Sequence, residues 1–294
     1  MRKNQVINIT LSEELLGAVD KQAEVEIRNR SELIREAIRT YLLEKNANEV
    51  HQTFTSEEIS RVNDIKNFSD FKDFTTFAIS SSFRPQPNEV KDLFAGGESE
   101  LTKYIENPVS FRNMGWDLRT LGRAKPVAGE YLQITNGERK IIRIFRDGQI
   151  IFAASEDFYG HGIENEDPNE SFKFNGLAAA ELISNFVNFT NKISEHLAKK
   201  PSGIIYKIHI FKPERKIIEL VLDINWISSA GRLDFLGPAV DRDVFLKRGD
   251  QTPETIAYKV WAEFCYIFGI TEDHFWFVNK QEKTMDFNTF KNKK

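Results

Sequence analysis

Apolar and polar residues alternate from Ile7 to Leu11, near the start of the chain. Over Val6-Ile7-Asn8-Ile9-Thr10-Leu11, the side chains of Ile7, Ile9 and Leu11 fall on one side of an extended segment and those of Val6, Asn8 and Thr10 on the other, because strand residues alternate with period two. A lone strand leaves its backbone unpaired and its apolar side uncovered. No second strand pattern follows before the periodicity becomes helical. The economical partner is the same strand of a second copy, which gives a two-stranded antiparallel ribbon across a dimer axis. Such a ribbon fits the major groove of DNA, where outward polar side chains can read base edges.

Two amphipathic helices follow. Ser12 is placed to cap the first, with Glu13 and Glu14 in the first turn, where the helix dipole favours acid. Leu15, Val19 and Ala23 recur at four-residue spacing, flanked by Leu16 and Ile27. Asn29-Arg30-Ser31-Glu32 forms a capping box for the second helix. Leu33, Ile34, Ala37, Ile38, Tyr41 and Leu42 make its apolar face. The expected dimer core is Ile7, Ile9, Leu11, Leu15, Val19, Ile34, Ala37, Ile38 and Tyr41.

Ile-Asn-Ile-Thr-Leu-Ser-Glu-Glu-Leu-Leu at 7–16 and Asn-Arg-Ser-Glu-Leu-Ile-Arg-Glu-Ala-Ile at 29–38 resemble the ribbon-helix-helix transcription regulators. The resemblance covers roughly the first 45 residues. It implies an obligate, intertwined dimer with Val6, Asn8 and Thr10 on the DNA bases and Asn29 to Ser31 on a phosphate. Free N–H groups at a helix start suit that anion. Val6 stands where such proteins often carry Arg or Lys, so an apolar contact to a thymine methyl replaces a bidentate guanine contact. The turn Glu24-Val25-Glu26-Ile27-Arg28 lacks the usual Gly. The alternative reading is a ribbon used only for pairing.

Beyond this module the pattern predicts an α+β domain with an antiparallel sheet and flanking helices. The expected boundaries are 1–45 for the ribbon module, 46–57 for a linker, 58–278 for the larger domain and 279–294 for a mobile tail. Ile59, Val62, Ile65, Phe68, Phe71, Phe74 and Phe77 recur every three residues and predict one or two amphipathic helices over 59–83. A helix interrupted at Gly96-Gly97 is expected over 88–105. Trp116–Leu118, Glu130–Thr135, Lys140–Phe145 and Gln149–Ala153 read as successive strands, turned at Asn136-Gly137 and Asp147-Gly148. A polar loop, 156–170, leads to a helix over Gly176–Leu197. Ile204–Phe211 and Lys216–Ile224 predict a hairpin, and 227–248 is left unassigned. Thr252 and Pro253 open a last helix to about Phe268. The blocks Gly115-Trp116-Asp117, Ile142 to Ile150 and Leu177 to Leu182 resemble the region that follows the Schlafen/Alba-like domain of some bacterial proteins. That resemblance implies α+β architecture and a prokaryotic context only.

Composition narrows the function. The 294 residues carry a net charge of −4 with a pI near 5.9, unlike a protein that coats DNA by bulk charge. Phosphate contacts must therefore be local, from Arg2, Lys3, Arg28, Asn29, Arg30 and Ser31. Arg35 and Arg39 read as solvated charges. The chain has 24 Phe for a sizeable core and one cysteine, Cys265, which excludes an internal disulfide and fits a reducing cytoplasm. It shows no signal peptide and no membrane-spanning apolar run.

Candidate chemistry is sparse. The loop from Tyr159 to Asp167, with His161, Glu164, Glu166 and Asp167, has oxygen-rich ligands for a divalent metal, though such loops are commonly solvated turns, and no metal is assigned. His51, His196, His209 and His274 stand apart in sequence, and His209 reads as a core or surface residue. A nickel-responsive sensor would need a His- and Cys-rich domain. No phosphate loop or nucleophile elbow is present, and Cys265 reads as an inert buried thiol. The expectation is a cytoplasmic, non-enzymatic, dimeric DNA-binding regulator without cofactor or membrane association. Double-stranded DNA is its partner, pairing of dimers into a tetramer is left open, and the larger domain takes a protein partner or small-molecule effector. The alternatives are an interaction protein, such as an antitoxin or a plasmid or phage accessory factor, and a DNA-tethered enzyme.

Overall fold

The computed structural model of the protein describes residues 12–26, 30 and 34 and, with gaps, 53–287; the longest internal gaps are 111–115, 160–171, 212–216 and 222–228. The chain divides into two compact units, Met1–Gln52 and Thr53–Lys294. In the first, α1 spans Glu13–Glu26. The rest of its predicted ribbon and second helix lies outside the described residues, apart from Arg30 and Ile34, which are helical.

The second unit opens with Phe54 buried and a capping box. The Thr55 hydroxyl accepts from the Glu58 N–H at 3.2 Å, and the Glu58 carboxylate accepts from the Thr55 N–H at 2.7 Å. Helix α2, Ser56–Lys66, therefore begins inside the segment expected to be a linker. The helix expected to continue to residue 83 does not. The chain turns at Phe68 and Phe71 and becomes β1, Thr76–Arg84. The three-residue Phe spacing thus runs across a helix, a turn and a strand. Over β1 the true period is two, with Phe77, Ile79, Ser81 and Phe83 on one face and Ala78, Ser80 and Ser82 on the other, all buried. The serines suit a strand crowded on both faces because each finds a polar partner.

The elements that follow are α3, Glu100–Glu106, then β2, Lys125–Val127, β3, Tyr131–Thr135, β4, Lys140–Phe145, and β5, Ile150–Ser155. Helix α3 is shorter than the expected 88–105 helix, and Trp116–Leu118 lies outside the strands. A short α4, Glu156–Tyr159, precedes β6, Phe172–Asn175, and α5, Gly176–Ser194. After β7, Gly203–Phe211, and β8, Ile217–Val221, come β9, Ser229–Asp234, and β10, Ala239–Lys247. Helix α6, Pro253–Ile267, begins at a Thr252 cap, as its sequence predicts.

Two sheets organise these strands. The larger is antiparallel throughout, in the order β10-β7-β1-β5-β4-β3-β2. The meander β3-β4-β5 follows the predicted strands. The predicted hairpin of β7 and β8 is not formed: β7 pairs with β1 and β10, while β8 joins β6 and β9 in a separate sheet. One face of the large sheet, with Phe77, Ile79, Ile142, Phe152 and Ile208, shares a single core with α5 and α6. The opposite face, with Ala78, Ile141, Ile151 and Ala153, packs under Val62 and Ile65 of α2 and Phe71.

The segment expected to be a mobile tail from Asn279 is built into this core as far as Phe287. Strands β11, Val278–Asn279, and β12, Thr284–Met285, pair, and Met285 and Phe287 are buried. Phe287 stacks on Phe277 with ring centroids 5.6 Å apart, so apolar burial fixes a segment whose polar residues read as solvated. Among the described residues, no helix is long and apolar enough to cross a membrane.

Candidate nucleic-acid interface

Helix α1 starts as its sequence dictates. The Leu15 N–H donates to the Ser12 hydroxyl at 3.4 Å and the Leu16 N–H to the Ser12 carbonyl at 2.9 Å, with Glu13 and Glu14 in the first turn. Along its apolar line burial is graded: Ala23 is buried, Val19 is half-buried and Leu15 is 51% exposed. Ile34 is half-buried.

Arg30 is engaged by a contact that spacing did not foretell. Its Nε and a terminal nitrogen each donate to Asp20, one to either carboxylate oxygen, both at 2.6 Å. The fork is bidentate but solvated, with side chains 51% and 42% exposed, so it contributes about 0.2–1 kcal/mol. The other expected contacts, Arg2, Lys3, Val6, Asn8, Thr10, Arg28, Asn29 and Ser31, lie outside the described residues, as do the core positions Ile7, Ile9, Leu11, Ala37, Ile38 and Tyr41.

The second unit contains a buried ionic knot where its chain begins. Arg84 grips Glu58 from two nitrogens, at 3.1 and 2.8 Å, and donates to the Thr53 carbonyl at 2.9 Å. Ser82 donates to the same carboxylate, and the Gln86 amide adds a bond at 3.1 Å. Burial would raise the Glu58 carboxyl, but the hydrogen bonds from Arg84, Ser82 and Thr55 outweigh it and hold the group below its ordinary value. Close by, Arg61 donates to Asp147 at 2.7 Å and lies over the Phe145 ring. The capping box at Thr55–Glu58 was the only local signal for this knot.

The candidate chemistry of this unit resolves in part. His209 is buried, 3.3 Å from the Ser80 hydroxyl and stacked on Phe211. Cys265 is buried, and burial together with Glu272 pushes its thiol up, which disfavours the nucleophilic thiolate. The acidic loop from Gly160 to Asp167 lies outside the described residues.

Comparison with known proteins bears on the first unit. No match was found among curated proteins or among solved structures. Residues 5–45 match the family model described as ribbon-helix-helix protein, CopG family. The capped α1, with Leu15 exposed at its start, lies inside that match. The chain therefore carries a ribbon-helix-helix domain of the CopG family at its amino end, followed by a larger α+β unit.

Proposed function

We propose that the protein is a cytoplasmic, sequence-specific regulator of transcription that binds double-stranded DNA as a dimer. Two copies of the 6–11 strand pair as an antiparallel ribbon in the major groove. Asn8 and Thr10 read base edges, Val6 packs on a thymine methyl, and Arg2, Lys3, Arg28, Asn29, Arg30 and Ser31 hold backbone phosphates. The family match over residues 5–45 carries this reading. The half-exposed Leu15 supports it, since a second copy would cover that surface. The reading gives the chain no catalytic step and makes the second unit the place where binding is modulated.

The test is selection of genomic fragments with the full-length protein, followed by titration of the selected duplex across a salt series. Asn8→Ala and Thr10→Ala should each weaken specific binding by about 1–3 kcal/mol while leaving non-specific binding unchanged. Unchanged specific affinity in both variants would sink the readout.

A further inference from the structure

A groove of about 350 Å³ lies in the second unit between the Pro85-Gln86-Pro87 segment that leaves β1 and the 198–201 segment that follows α5. Main-chain contacts join its walls. The Ser202 N–H donates to the Arg84 carbonyl at 2.7 Å, the Lys91 N–H donates to the His196 carbonyl at 3.2 Å, and Val90 bridges to Leu197. The groove is therefore preformed, as small-molecule sites usually are.

Its lining is two-sided. Three prolines and Ala198 give apolar surface, and Lys91, Lys199 and Lys200 give positive charge. Among the described lining residues the one acidic side chain, Glu89, faces the Arg146 guanidinium at 3.6 Å. Among the described residues, none of the three lysine ammonium groups has an ion pair or hydrogen bond. Three uncompensated cations around one concavity, in a chain of net charge −4, are a local reversal of sign that charge complementarity assigns to an anion.

We infer that this groove binds a small organic anion, a carboxylate or phosphate carried on an apolar body. A concave site of this size encloses a small molecule better than it follows the convex backbone of a duplex. The site also has a route to the start of its unit. Gln86 lines the groove, and its amide donates to Glu58 at 3.1 Å and to Asp147 at 3.2 Å. A ligand that takes this amide competes with Glu58, which Arg84 ties to the Thr53 carbonyl. That coupling rests on the DNA-binding reading; the binding itself does not.

The test is calorimetric titration of the full-length protein with phenyl phosphate, benzoate and, as the neutral control, phenol. Saturable binding of at least one anion, weakened by salt and roughly tenfold weaker in Lys199→Gln/Lys200→Gln, is expected. Which anion binds identifies the head group. Both lysines are exposed, so the variant should keep its thermal midpoint. No saturable heat with either anion, or equal affinity in the variant, overturns the site. So does a variant that loses only duplex affinity, which would make this surface a DNA contact. Failure of Asn8→Ala and Thr10→Ala to affect DNA binding leaves this calorimetry untouched.

Discussion

Glu58 shows what one buried charge demands of its surroundings. Its side chain is almost wholly out of water, and Arg84 beside it is nearly so. Each is tolerable only because the other is present. Glu58→Gln keeps the shape but leaves the Arg84 guanidinium buried without its counter-charge, at a cost of about 3–5 kcal/mol. Urea unfolding at neutral pH measures it, and an unchanged midpoint would show that the pair is dispensable. The same residue sets an acid dependence. Its folded value lies below the ordinary 4.5, so its contribution is complete above that pH and is lost as pH falls through the folded value. Over that window the wild-type midpoint should fall more steeply than that of Glu58→Gln.

Among the elements, the β4–β5 turn is closely packed against its surroundings. Gly148 has φ +84°, and a Cβ there would stand 2.8 Å from both Phe83 and Pro87. Gly148→Ala should therefore cost about 2–4 kcal/mol, from left-handed strain and overpacking together. A urea midpoint equal to wild type would contradict this. The turn was legible in Asp147-Gly148, as were the α6 start in Thr252-Pro253 and the Ile-rich strands β4 and β5, because capping, turn chemistry and periodicity are local. Strand partners are not local. Periodicity tells which side of β7 is apolar but not that β1 lies beside it, nor that β8 leaves for another sheet. The candidate interface divides in the same way. Ser12 announces its cap within three residues, whereas Asp20 and Arg30 meet across ten and Glu58 meets Arg84 across twenty-six.

On the scale of the molecule, the division after Gln52 separates a small unit, with Leu15 of α1 exposed, from a large one with its own core. Leu15→Glu should therefore act on one unit alone. It places charge on the surface that the proposed partner covers, so sedimentation should show monomers and duplex affinity should collapse, while the cooperative melting of the second unit persists. A variant that stays dimeric would place the pairing surface elsewhere.

The position of β1 inside the large sheet, with a strand on either side, also bears on the order in which the protein can be made. Its neighbours are β5 and β7, and the second of these ends at Phe211. A ribosome adding about 5–20 residues per second reaches that point on the order of ten seconds after it has finished β1. Through that interval the nascent chain holds a strand with Phe77, Ile79 and Phe83 on one side and no partner on at least one edge. The amino-terminal unit has by then already been synthesised, and the proposed pairing would draw it to the same unit of a neighbouring chain. Neighbouring ribosomes on one message would thus hold unfinished sheets with bare edges close together, a setting in which shielding of extended apolar segments should raise the yield.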